Sequence, residues 1–279
     1  MAMVINTNIA SINSQRRLNE TNNNLATSME RLSSGLRVNS AKDDAAGLAI
    51  SNRMTSQIRG MTVASRNASD GISLAQTAES AMGELTNTLQ RMRDLSVQSS
   101  NDGAVTGQDR EKLQAEFQQL NDELTRIITS TEFNGKKIIN GSLAGGINFQ
   151  VGANTSADNR IAVSIADLAS TIGSVTAASI GSNATEIGAR AAIDSIDEAI
   201  RRIDTSRANL GAIQNRFTTT ISNLQSSIEN QSAARSRITD TDFAVETANL
   251  SRNQILQQAG TAMLAQANQS GQSVLSLLR

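Results

Sequence analysis

Histidine and cysteine are both absent from this chain of 279 residues. Their absence removes imidazole general bases, cysteine nucleophiles, Cys/His zinc sites, His-ligated haem and iron–sulfur clusters. Carboxylate or Ser/Lys chemistry stays open. Proline, tryptophan and tyrosine are absent too, and there are only five phenylalanines. So few rings argue against an aromatic platform for stacking bases. The core must be filled with Ile, Leu, Val, Met and Ala, which suits thin bundles two or three helices across. The lack of proline fits long uninterrupted helices, because proline breaks them. Net charge is −1 with both signs interspersed, so no basic patch points to nucleic acid. No run of about 18 apolar residues occurs, and no membrane insertion is expected. The opening MAMVINTNIASINSQRR lacks the regions of a secretory signal, so any export is expected by another route.

What the chain has in quantity is helical periodicity. From Ala192 to Ile238, apolar residues recur in steps of three and four: Ile193, Ile196, Ile200, Ile203, Leu210, Ile213, Phe217, Ile221, Leu224 and Ile228. Arg207 is the one interruption, and Gly211 the one glycine. A helix of this length would span roughly 70 Å and could not cover its own stripe. Residues 1–38 carry a second stripe, from Ile5, Ile9 and Ile12 and then, after a phase shift, Leu18, Leu25, Met29, Leu32 and Leu36. A third runs from Ile50 to about Ser99 and a fourth over 109–129. The last, about 243–278, ends on the strongly apolar SVLSLLR.

Between these stripes the signals change. Gly35 is an expected helix break. Ser40 is expected to cap a helix starting at Ala41, with Asp43 and Asp44 favoured at its positive end. A carboxylate dyad or metal site is the sharper alternative for that Asp pair. Phe133–Ile139, Ile147–Val151 and Arg160–Ile165 predict short strands, with Asn140-Gly141 as a turn. Residues 166–189, rich in Ser, Thr, Ala and Gly, predict an irregular exposed connection. The fold class expected is mainly α: a long antiparallel helical bundle or coiled coil with a small β-hairpin region at about 132–165. Residues 50–99 and 109–129 are expected to cover the 192–238 stripe, and the first helix is expected to pair with the last.

The stretch ERLSSGLRVNSAKDDAAGLAISNRM, residues 30–54, closely resembles bacterial flagellin. So do MVINTNIASINSQ (3–15), NASDGISLAQTAESAM (67–82), LQRMRDLSVQS (89–99), EFNGKKII (132–139) and DFAVETANLSRNQILQQAGTAMLAQANQ (242–269). The resemblance covers nearly the whole chain. Many flagellins carry a large mid-chain insertion where this sequence has only about 166–189, so it resembles a minimal form.

The resemblance implies a structural subunit, not an enzyme, that polymerises with itself into the flagellar filament for motility. It implies export of the unfolded chain by the type III apparatus and addition at the distal tip. Cap, junction and export-chaperone proteins would be partners, and no cofactor is expected. Residues 1–40 and 240–279 would form the inner core of the filament, and 41–239 a helical body around it. Apolar residues at the two ends, Ile5, Ile9, Ile12, Leu256, Met263, Val274, Leu275, Leu277 and Leu278, are the expected polymerisation core. The family also implies recognition by Toll-like receptor 5 of a host, with Arg91, Leu95, Gln98 and Glu116 at the matching positions. Ser and Thr in 142–186 are candidate positions for O-linked glycans, as some flagellins carry. Two alternatives stand beside this reading: the hook–filament junction protein of the same assembly, and a cytosolic coiled-coil adaptor.

Overall fold

The apolar stripes are realised as long helices. The structure, a computed structural model, describes residues 7–181 and 186–276, with side chains for 7–181 and 187–269. The helices are α1 (Ile9–Ser34), α2 (Ala45–Ser99), α3 (Gly107–Ser130), α4 (Leu168–Thr176), α5 (Glu186–Thr239) and α6 (Phe243–Ser276). Four short strands lie between α3 and α4: β1 (Glu132–Phe133), β2 (Lys136–Lys137), β3 (Ile147–Gln150) and β4 (Arg160–Val163). The chain forms two compact units. Unit 1 is Met1–Ser56 with Glu229–Arg279, and unit 2 is Gln57–Ile228.

Unit 2 holds the hydrophobic core. On α2 the buried positions recur every seven residues in two interleaved series. One is Met61, Ala68, Ala75, Met82, Leu89 and Ser96; the other is Ala64, Gly71, Ala78, Leu85, Met92 and Ser99. On α5, Ala189, Ile196, Ile203, Leu210 and Phe217 keep the same spacing and are at most 1% exposed. A strict seven-residue repeat holds two helices in a coiled-coil seam. The two helices run antiparallel. Arg93 pairs with Asp197, Gln214 donates to Glu79, and the Phe217 ring lies against Gly71. Where α2 offers only Ala64, Ala68, Gly71 and Ala75, Phe217 and Phe149 fill the space, meeting edge to face at 5.6 Å.

The hairpin region sits on this seam. β3 and β4 pair antiparallel, with Phe149 opposite Ile161 and Ile147 opposite Val163. Ile161 and Val163 alternate inward along β4, as the two-residue period of a strand requires. Asn67 of α2 donates to the Gln150 carbonyl at 2.9 Å. The tight turn of the region is Asn134-Gly135, between β1 and β2, with φ of 49° and 74°. Two successive positive φ values are the signature of a hairpin turn whose twist matches its strands. The predicted Asn140-Gly141 turn instead lies in the loop before β3, where the Ala144 amide donates to the Gly141 carbonyl.

Two further expectations need correction. Residues 166–181 are not an irregular exposed connection, and 186–189 already belong to α5; residues 182–185, on which the same expectation falls, lie outside the described residues. Asp167 caps α4, accepting from the Ala169 and Ser170 amides, and Leu168, Ile172, Val175 and Ile180 are buried in the core. The helix beyond Gly35 starts at Ala45 rather than Ala41, and its cap is Asp44, which accepts from the Gly47 amide at 2.8 Å. Ser40 and Asp43 close the preceding turn: Asp43 accepts from the Asn39 and Ser40 amides and the Ser40 hydroxyl.

Candidate assembly surface

Unit 1 is built from the two ends of the chain. Asn8 caps α1 by accepting from the Ser11 amide, and its own amide group donates to the Ala267 carbonyl 259 residues away. Gly35 ends α1 in the left-handed conformation at φ 71°, where a Cβ would be strained. The backbone then makes one antiparallel bridge, Leu36 to Asp240, strengthened by the Arg37 and Val38 amides donating to the Thr239 carbonyl. Asp242 caps α6 through the Ala244 and Val245 amides.

From there α1 and α6 run antiparallel in a fixed register. Glu246 lies opposite Arg31, Gln257 donates to Asn22, Gly260 faces Leu18, and Ser11 donates to Asn268. This is the predicted pairing of the first helix with the last. Polar groups set much of the register: among the described residues, Ser11, Ser28 and Glu246 are its buried residues from α1 and α6. Glu246 is 6% exposed and stands 4.0 Å from Arg31.

Burial distinguishes the two units sharply. Among the described residues, Val38 is the only apolar side chain of unit 1 that is fully buried. Of the twelve large hydrophobic side chains exposed among the described residues, nine belong to unit 1: Ile9, Ile12, Met29, Ile50, Phe243, Val245, Ile255, Leu256 and Met263. Ile255 and Leu256 are sequence neighbours on α6, so they point about 100° apart and present a broad apolar face. A concentration of exposed apolar side chains of this kind marks an interaction surface.

Of the expected polymerisation core, Ile9, Ile12, Leu256 and Met263 are brought together in unit 1 and are 49–65% exposed. Val274 and Leu275 belong to α6 without described side chains, and Ile5, Leu277 and Leu278 lie outside the described residues. The receptor positions are in unit 2. Arg91 and Glu116 join α2 to α3 at 2.6 Å, both about half exposed, and Gln98 is exposed. Leu95 is 1% exposed and is part of the core. Sequence reasoning placed Leu18 on the apolar stripe of the first helix but did not single out Asn8 or Gly260, which with it set the α1–α6 register. Asn8 was findable, being an N-cap residue type immediately before Ile9 of the apolar stripe.

The Asp43–Asp44 pair resolves as helix-end chemistry. The Ser40 backbone amide and then the Ser40 hydroxyl hold the Asp43 carboxyl below its usual range. No group of three or more His, Cys, Asp or Glu side chains among the described residues could hold a metal ion.

A helical structural protein results, with a self-sufficient core in one unit and an apolar pair of terminal helices in the other. The bacterial flagellin N-terminal helical region matches residues 5–144, and the bacterial flagellin C-terminal helical region matches residues 193–278. The flagellin of Halalkalibacterium halodurans is 47% identical over 277 residues, covering 99% of this chain and 100% of that protein. Flagellin of Bacillus subtilis is 44% identical over 306 residues, with 99% and 100% covered. The crystal structure of Bacillus cereus flagellin superposes with a TM-score of 0.50 at 30% identity, covering 61% of this chain and 94% of that one. The chain belongs to the bacterial flagellin family.

Proposed function

We propose that this chain is the repeating subunit of the extracellular flagellar filament, and that α1 and α6 are its polymerisation segment. One observation carries the reading: among the described residues, nine of the twelve large apolar side chains left in water belong to unit 1, while the buried apolar side chains other than Val38 belong to unit 2. Unit 2 supplies its own core. Unit 1 does not, and neighbouring copies supply the missing cover, so ordering of the terminal helices is coupled to assembly. The role is structural rather than catalytic. Export as an unfolded chain, addition at the distal tip, and contacts with cap, junction and export-chaperone proteins belong to the same reading.

The test is truncation. Removing residues 270–279 takes away apolar area from α6 and leaves unit 2 intact. The truncated protein is expected to keep the helical circular dichroism of unit 2 and to lose elongation on filament seeds. Normal filaments from it would overturn the assignment of α6 to polymerisation.

Recognition by Toll-like receptor 5 is proposed for the α2–α3 face of unit 2, through Arg91, Gln98 and Glu116. The supporting observation is that Arg91 and Glu116, 25 residues apart in sequence, form one exposed ion pair, and that exposed Gln98 follows two turns along the same face of α2. Leu95 supports that face from beneath, since it is buried.

A further inference from the structure

A groove of about 570 Å³ runs between α1 and α6. Ala10 and Leu18 line it from α1, and Leu256, Gly260 and Met263 from α6. Gly260 lets the helices approach, because a Cβ there would stand 3.2 Å from Leu18 Cδ1.

Two isoleucines of α1 look elsewhere. Ser11 is 7% exposed and donates to Asn268, so it faces α6. With 3.6 residues per turn, neighbours on a helix differ by about 100°. Ala10 therefore lies on one side of Ser11, in the groove, and Ile12 on the other. Ile9, two residues before Ser11, is on the back of α1. Ile9 and Ile12 are 65% and 56% exposed, yet neither lines the groove. One copy cannot seat its own isoleucines in its own groove.

We propose that Ile9 and Ile12 of one copy insert into the α1–α6 groove of a second copy, against Leu256 and Met263. This rests on the filament reading above and specifies a contact within it. Two different patches joined in this way make a heterologous contact. Each added copy leaves one groove free at one end and one isoleucine pair free at the other, so growth is open-ended. A groove-to-groove contact would cover Leu256 and Met263 but leave Ile9 and Ile12 in water, and it would close at two copies. The heterologous pairing covers both patches.

The chain has no cysteine, so introduced thiols are the only ones present. Full-length Ile12→Cys and Met263→Cys proteins are mixed in equal amounts, grown on filament seeds, oxidised, and separated under denaturing conditions. The mixture is expected to give a disulfide dimer holding one copy of each variant. Neither variant alone gives a dimer, and the double variant gives a ladder. Filaments without the mixed dimer overturn the proposal, as do dimers from Met263→Cys alone, which mean groove meets groove. A second variant needs no thiol: Ile9→Glu with Ile12→Glu is expected to keep unit 2 helical and lose elongation, and normal elongation overturns the contact. Failure of the unaltered protein to elongate seeds would instead sink the filament reading itself.

Discussion

The ring of Phe217 lies directly against the bare backbone of Gly71: a Cβ at Gly71 would stand 2.6 Å from Phe217 Cζ. Phe217 has no exposed surface and is held from another side by Phe149, so it cannot step aside. Gly71→Ala gains about 1 kcal/mol of helix propensity but overpacks a tight seam, which costs about 1–3 kcal/mol. The net expectation is destabilisation of unit 2. Gly83, in the same helix, has nothing within 4 Å of its would-be Cβ. Gly83→Ala is expected to stabilise by up to about 1 kcal/mol. Urea denaturation of the monomers compares the two signs directly; stabilisation by both would mean the Gly71–Phe217 contact is slack.

Capping of α2 separates two adjacent carboxylates. Asp44→Ala removes the side chain bonded to the Gly47 amide and is expected to cost about 0.5–2 kcal/mol. Amide exchange over residues 45–48 reads this loss. Asp43→Ala is expected instead to free the Asn39 and Ser40 amides, leaving the first turn of α2 protected. Equal loss of protection at 45–48 in both variants would contradict the division of labour.

Acid is expected to loosen unit 1 at its two turns. Bonds from the Ser40 amide and hydroxyl hold the Asp43 carboxyl below its ordinary value, and hydroxyls of Ser236 and then Thr239 do the same for Asp240. A lowered folded value stabilises the fold above the unfolded value, about 3.9 for Asp. That contribution is present at neutral pH and disappears as pH falls below about 4 through the folded values. Titration of the two carboxyls by NMR, beside amide exchange at Ser40 and Asp43, checks it. Midpoints at or above the ordinary Asp value would refute the bonding. With no histidine in the chain, no side chain of ordinary pKa titrates near pH 6–7, so side-chain titration is expected to leave this stability flat there.

Receptor contact and core packing can be told apart on one helix face. Arg91→Ala removes an exposed ion pair, which is worth about 0–1 kcal/mol to stability. Under the receptor reading it lowers signalling by monomers in a reporter-cell assay while the thermal midpoint barely moves. Leu95→Ala empties a buried site and is expected to cost about 2–5 kcal/mol. Unchanged signalling by Arg91→Ala and Gln98→Ala would remove this face from recognition.

The long helices were legible because their apolar steps are regular. Ile196, Ile203, Leu210 and Phe217, read as one stripe from spacing alone, are all buried without remainder. Gly35 was legible as a break because its left-handed conformation suits glycine. The helix α4 was not. Leu168, Ile172 and Val175 keep helical spacing, but Ser, Thr and Gly between them lower the local signal, and burial against α3 decides the outcome. Leu95 was marked twice, by helical spacing as a member of the 50–99 stripe and by the resemblance as a receptor position, and its side chain points into the core as the spacing requires. The start of α2 was missed by four residues because Ser40 and Asp44 are both good caps, and only the Ser40–Asp43 turn selects between them.

The antiparallel register of α1 and α6 also fixes an order in time. Asn8 bonds residue 267, and Asn22 bonds residue 257, so the first helix synthesised waits for the last. Unit 2 is an uninterrupted run of chain, Gln57–Ile228, and has all its parts earlier. However the chain is delivered, N-terminus first or threaded through a pore, the terminal pair cannot close until almost every residue has arrived. Its closure therefore reports completeness: a chain cut short, or still in transit, has no finished α1–α6 pair to offer the next copy.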